Sequence, residues 1–124
     1  MKIVLLDCDC IRTDGYTFSN GGQGAIKYIA VSNHSAKLPK TPTGKPLGKV
    51  APVFKNSSDF MLLYLLTKLL MRSKKLKGDN QHKIAIVTRD KALIEAIQMV
   101  AQRNNARCYH YPRIKSLEND FYAR

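Results

Sequence analysis

Two short runs of uninterrupted apolar residues, 3–6 (IVLL) and 84–87 (IAIV), constrain this chain more than anything else in it. A strand with one wet face alternates apolar and polar residues. A strand that is apolar throughout is covered on both faces, as in a parallel sheet flanked by helices. Each run also ends abruptly in polar residues: Asp7-Cys8-Asp9 after the first, Thr88-Arg89-Asp90 after the second. In open α/β sheets the functional crevice lies beyond the carboxyl ends of the strands, so both endings fall where chemistry is expected.

The rest of the chain is organised around these strands. Residues 2–10 read as the first strand, and 24–31 (GAIKYIAV) as a second, with a short helix as the rival assignment. Residues 55–70 (KNSSDFMLLYLLTKLL) form an apolar helix pattern. Ser57 or Ser58 supplies the N-cap, and Asp59 sits in the first turn, where the helix dipole favours a carboxylate. Phe60, Leu63, Tyr64, Leu66, Thr67 and Leu70 define one stripe; Met61, Leu62, Leu65 and Leu69 widen it, which predicts burial around much of the helix. A strand over 83–88, a helix over 91–103 and a strand over 107–111, closed by Pro112, follow; 117–124 is too short to assign. The expected architecture is α/β, a three-layer α/β/α sandwich with a mainly parallel central sheet. One domain spanning 1–124 suits this length.

Between strand and helix, the stretch from about 33 to 55 is the loosest part, with Pro39, Pro42, Pro46, Pro52, Gly44 and Gly48 breaking regular structure. Charge gives it a purpose. The chain carries 21 Lys+Arg against 9 Asp+Glu, a formal charge of +12. No acid occurs between Gly15 and Ser58, whereas Lys27, Lys37, Lys40, Lys45, Lys49 and Lys55 do. A strong basic excess is the footprint of a polyanionic partner, nucleic acid above all, and the stretch reads as a phosphate-gripping flap or a solvated loop. Lys37, Lys40, Lys45, Lys49, Lys55 and Arg89 are the candidate nucleic-acid contacts.

Several classes are excluded. Three cysteines without a C-x-x-C spacing argue against a disulfide framework or a structural zinc site. Cys8 and Cys10, two apart, are expected to share a strand face as packing residues. The glycines at 21, 22 and 24 match neither a dinucleotide fingerprint nor a phosphate-binding loop. His34, His82 and His110 sit in no nucleophile motif, and His34 is expected to be exposed. No apolar run approaches the roughly 18 residues of a membrane span, and the N-terminal run is too short for a secretory signal. A soluble, cytoplasmic protein is expected.

The candidate chemistry lies in the acids. Asp7 and Asp90 follow strands, and Asp59 heads a helix that could bring it to the same sheet edge. Clustered carboxylates within a basic surface suit a divalent cation acting on a phosphodiester. Each acid also has a plainer role: Asp9 and Asp14 as turn residues, Asp59 and Asp90 at helix starts.

These segments resemble PIN-like and NYN nuclease domains. LLDCDCI is similar to their opening strand with its Asp; KNSSDFMLLYLLTKLL resembles their central helix, with an acid at the Asp59 position. IAIVTRDKAL resembles their later strand closing on Ser/Thr-x-Asp. The resemblance covers residues 2–10, 55–70 and 84–111. It implies a Mg²⁺- or Mn²⁺-dependent endoribonuclease acting on RNA, or another nucleic acid. Asp7, Asp59 and Asp90 would be catalytic metal ligands, with Asp9 as a further ligand. Thr88 would support the site by hydrogen bonding, and Asn56 would touch phosphate or the site. Ala92 stands where many such domains carry a further acid, which keeps a non-catalytic RNA- or protein-binding module as the alternative. A homodimer and a regulatory protein partner are both compatible with a domain of this size. DCDC followed by IAIVT also imitates a haloacid-dehalogenase-like phosphatase, a less favoured alternative: that chemistry wants a later Lys and an acidic pair, and only Glu118 and Asp120 follow Glu95, in a short tail with no further strand-plus-acid unit.

Overall fold

The computed structural model describes residues 1–20, 26–73 and 81–124. Strands β1 (Lys2–Asp7), β2 (Lys27–Ser32), β3 (Lys49–Val50), β4 (Lys83–Val87) and β5 (Arg107–Tyr111) make one sheet in the order β3-β2-β1-β4-β5. Every pairing in it is parallel. Helices α1 (Ser57–Arg72), α2 (Lys91–Arg103) and α3 (Ile114–Asp120) pack on the sheet.

The apolar runs account for the layering. Ile3 and Leu5 of β1, Ile29 and Val31 of β2, and Ile84 and Ile86 of β4 face one side. There they meet Leu62, Leu66 and Leu70 of α1 and Leu93, Ile97 and Ala101 of α2. The intervening Val4, Leu6, Ala30, Ala85 and Val87 face the other side. They are covered by Ile114 and Leu117 of α3, by Phe121, and by Phe18 and Leu38. Side chains alternate along a strand, so a run apolar at every position must be covered twice. The expected three-layer α/β/α sandwich is the one observed, with every strand parallel.

Strand succession moves outward from β1 to β2 and β3, then reverses to β4 and β5. The reversal puts a topological switch point between β1 and β4, where such sheets open a crevice beyond their carboxyl ends. Val87 pairs with Leu6, so Thr88 follows directly beside Asp7. The crossover through α1 starts beyond β3 and delivers the helix's first turn to the same edge of the sheet.

Several boundaries differ from the sequence-based expectation. β1 stops at Asp7; Cys8 to Cys10 form a turn closed by the Cys10 and Ile11 N–H groups donating to the Asp7 carbonyl at 3.0 Å each. The two cysteines therefore do not share a strand face. Cys8 is buried, Cys10 is partly buried, and all three cysteines are free thiols. β2 begins at Lys27; Gly24 and Ala25, expected at its start, lie outside the described residues, as do Gly21 and Gly22.

The segment 33–55 is more regular than its prolines suggested. It holds a 3₁₀ turn at Ser35–Lys37, backbone bridges from Lys40 to Thr17 and Pro46, and edge strand β3. Leu38 and Ala51 anchor it in the core. Gly48, just before β3, has φ +122°, a conformation side chains rarely adopt. A Cβ there would collide with the Ala30 carbonyl oxygen and Cβ. Gly48→Ala is expected to cost about 2 kcal/mol through strain and overpacking. Urea denaturation measures it, and an unchanged midpoint would contradict the close approach of β3 to β2.

Helix α1 runs to Arg72, and its buried stripe is Leu62, Leu66 and Leu70. Phe60 and Tyr64, expected inside, are 57% and 60% exposed. The even spread of leucines hid the phase of the helix, because apolar residues occur on every side of it. The unassigned tail forms α3 and a 3₁₀ turn at Phe121–Ala123. Among the described residues no helix is long and apolar enough to cross a membrane.

Candidate functional site

Asp7 is buried at the end of β1, in an apolar setting that disfavours its charge. Thr88 is its partner: the hydroxyl donates to Asp7 Oδ2 at 2.7 Å and accepts the Asp90 N–H at 3.1 Å. One threonine thus ties the first acid to the backbone of the third. Burial pushes the Asp7 carboxyl above its ordinary range. The Thr88 hydrogen bond opposes that shift, and the negative charges of Asp9 and Asp90 add to it.

Asp90 caps α2. Its Oδ1 accepts the N–H groups of Ala92 at 3.0 Å and Leu93 at 3.3 Å, the ordinary duty of an N-cap aspartate. Asp59, in the first turn of α1, is the most perturbed acid of the group. Its pKa is pushed up to about 6 by burial first, then by the charges of Asp7 and Asp90, a hydrogen bond with the Asp90 carboxyl, and the charge of Asp9. Burial is the larger cause; the like charges of the neighbouring acids add to it, because they disfavour ionisation of Asp59.

Asp9 is engaged differently. Its Oδ1 accepts the Ser32 hydroxyl at 2.7 Å and the Asn33 N–H at 3.1 Å, and its Oδ2 accepts the Ser58 hydroxyl at 2.5 Å. Ser57 donates to Asn33 Oδ1 at 2.8 Å. Burial would raise the Asp9 carboxyl, but hydrogen bonds from Ser58, Ser32 and Asn33, with the charge of Lys37, hold it below the usual range. The result is a clamp: Asp9 and Asn33 fasten the head of α1 to the ends of β1 and β2, and so position Asp59. The two serines sit inside the first turn. The N-cap is Asn56, exposed and left-handed at φ 63°, with no capping bond from its side chain. Tandem serines ahead of an acid suggest capping; only the fold reveals that Ser57 faces Asn33 and Ser58 faces Asp9.

The structure thus brings Asp7, Asp59, Asp90 and Thr88 to one edge at the switch point, with Asp9 beside them. Of the candidate cations, Lys37 and Arg89 stand at this edge. Arg89 donates from its guanidinium to the Cys10 carbonyl at 2.6 Å. Lys40 and Lys45 flank a turn, the latter's N–H bonding Thr41 Oγ1 at 3.3 Å, and Lys55 is exposed just before α1. Lys49 lines a separate groove with Lys27, Lys68 and Arg72, over the start of β2 and the last turns of α1.

The acids offer only oxygen donors, the set preferred by Mg²⁺ and Mn²⁺. Among the described residues no group of three or more His, Cys, Asp or Glu side chains converges closely enough to hold a metal ion. Mg²⁺ commonly takes one or two carboxylates and fills its remaining positions with water or substrate phosphate. Asp59 with Asp90 fits that pattern, with Asp7 behind them.

Asp59 makes the crowding measurable without metal. Its folded pKa lies above its ordinary 3.8, so the folded state holds the proton more tightly. Stability therefore falls as pH rises from about 3.8 to about 6 and stays lowered above that. After allowance for solvent screening, the penalty at neutral pH is about 1 kcal/mol. Asp59→Asn in EDTA is expected to melt higher at pH 7 and to lose that advantage below pH 4. Parallel melting curves across pH would refute the raised pKa.

Comparison with known proteins returns no relative: no family model matches the chain, no characterised protein matches its sequence, and no solved structure matches its fold. What stands is the class, an α/β protein with a five-stranded all-parallel sheet and three helices.

Proposed function

We propose that this protein is a divalent-metal-dependent endoribonuclease that hydrolyses RNA phosphodiesters, of the PIN-like or NYN kind. The observation that carries the proposal is geometric: Asp7, Asp59 and Asp90 come from two strand ends and a helix head to one edge of the sheet, near enough for their charges to act on one another, within a strongly basic chain. A protein of +12 has no electrostatic need to crowd acids, and it fastens the helix head beside them through Asp9, Ser57 and Ser58. That arrangement makes sense if the acids hold a cation. The resemblance of the three segments to nuclease domains supports the same reading.

Asp59 and Asp90 would hold Mg²⁺ or Mn²⁺, with Asp7 adding charge from behind. When bound, such a cation supplies a water of lowered pKa and neutralises charge developing on phosphate. The chain's own part is to orient and to bind. Thr88 fixes Asp7 and the start of α2, the Asp9 clamp fixes α1, and Lys37 and Arg89 offer cationic contacts to phosphate beside the acids.

A second reading, an RNA-binding module without cleavage, has its own support. Asp90 Oδ1 is occupied by capping, Asp9 by the clamp, and Ala92 is not an acid. Incubation of single-stranded and structured RNA with Mn²⁺, Mg²⁺ or EDTA separates the two. Cleavage with metal and none with EDTA is expected; salt-sensitive binding without cleavage under any metal would establish the second reading.

A further inference from the structure

A pocket next to the acids was not anticipated from the sequence. It lies beyond the carboxyl ends of β4 and β5 and has a volume of about 450 Å³, within the range of small-ligand sites. Arg12, Arg89, Arg113 and Lys115 line it, with Tyr16 on its wall and Ile11 and Ile114 among its apolar surfaces. No acid lines it. The one ion pair among the described residues is Arg124 with Asp120, so none of these four cations is in a direct ion pair there. Arg12 and Arg89 also border a second, mixed-charge hollow with Lys37, Asp9 and Asp14, which adjoins the pocket. Arg89 stands in sequence between Thr88 and Asp90, which puts the pocket at the door of the carboxylate cluster.

Four cations around an apolar, aromatic-walled hollow match a nucleotide: guanidinium groups pair with phosphate oxygens, and a base finds a π face and aliphatic surface. An acidic peptide would use the cations and leave the aromatic wall idle. We infer that this pocket binds one nucleotide of a single RNA strand, its phosphates on Arg12, Arg113 and Lys115 and its base against Tyr16. It is a subsite flanking the scissile phosphate. The inference rests on the ribonuclease reading for its place in the reaction, while the binding itself needs no cleavage.

Fluorescence anisotropy with a labelled eight-nucleotide RNA in EDTA, across a salt series, tests it. Arg12→Ala with Arg113→Ala is expected to weaken binding about ten-fold or more. The salt slope should become shallower by about 1.4, since each lost single-strand phosphate contact removes about 0.7. Both arginines are exposed, and circular dichroism melting checks that the fold is kept. Lys27→Ala with Lys68→Ala, in the groove over the start of β2, should leave slope and affinity unchanged. Tyr16→Ala should weaken RNA on the order of ten-fold and leave an abasic phosphodiester of equal length unaffected. Unchanged affinity and slope in the arginine double variant, or a loss that follows the Lys27 and Lys68 variant instead, overturns the assignment. So does an equal effect of Tyr16→Ala on RNA and the abasic chain. Absence of cleavage alongside intact pocket binding would count against the ribonuclease reading alone.

Discussion

Asp59→Asn abolishes metal-dependent RNA cleavage, by on the order of 10² to 10³-fold, while the fold stays intact: this is the expected result with the largest functional effect. The magnitude is that of deleting one preorganised group that stabilises developing charge. Asn keeps the size of the side chain and removes the charge. Asp59 is the cleanest of the three acids to test. Asp90 also caps α2, and Asp7 also partners the buried Thr88, so substitutions there mix chemistry with stability. Asp59→Asn instead relieves like-charge crowding. A variant that melts at or above the parent temperature yet cleaves at parental rate would remove Asp59 from the mechanism.

Phe121→Ala is expected to be the most destabilising single change away from the site, at about 3 to 5 kcal/mol. The ring is fully buried in the layer beneath α3. Its centroid lies 5.9 Å from that of Tyr109 and 6.1 Å from that of Tyr111. Lys2 ties the first strand to the same turn, its Nζ donating to the carbonyls of Phe121 at 3.3 Å and Tyr122 at 3.1 Å. Folded domains of this size are stable by only about 5 to 15 kcal/mol, so the loss is a large share. Urea denaturation measures it. A cost below about 1 kcal/mol would mean that the C-terminal turn does not close the sheet's second face.

The sequence carried the fold wherever packing demanded one pattern. Ile3–Leu6 and Ile84–Val87 had to be covered twice, and they are; α2 announced itself by its own periodicity. The phase of α1 was not legible, because leucines on all sides leave sequence unable to say which face turns inward. Phe121 lay in a tail of no clear period, and its burial comes from long-range contact with β5 and Lys2. At the candidate site, strand ends and a helix head pointed to Asp7, Asp59, Asp90 and Thr88. The clamp of Asp9 with Ser32, Asn33, Ser57 and Ser58 was hidden, since its members are up to 49 residues apart. Arg12, Arg113 and Lys115 were hidden for the same reason. Cations in short loops carry no period, and their shared direction exists only once β5 lies beside β4.

The most direct measurement is a Mn²⁺ titration of ¹⁵N-labelled protein, read as paramagnetic broadening of backbone amide signals. If Asp59 and Asp90 hold one cation in front of Asp7, substoichiometric Mn²⁺ broadens the amides of Asp59 and its neighbours, of Arg89 and Asp90, and of nearby Asp7 together. Asp59→Asn should abolish all three effects at the same metal concentration. Broadening centred on other acids, such as Asp120, or a pattern unchanged by Asp59→Asn, would contradict the shared cation site.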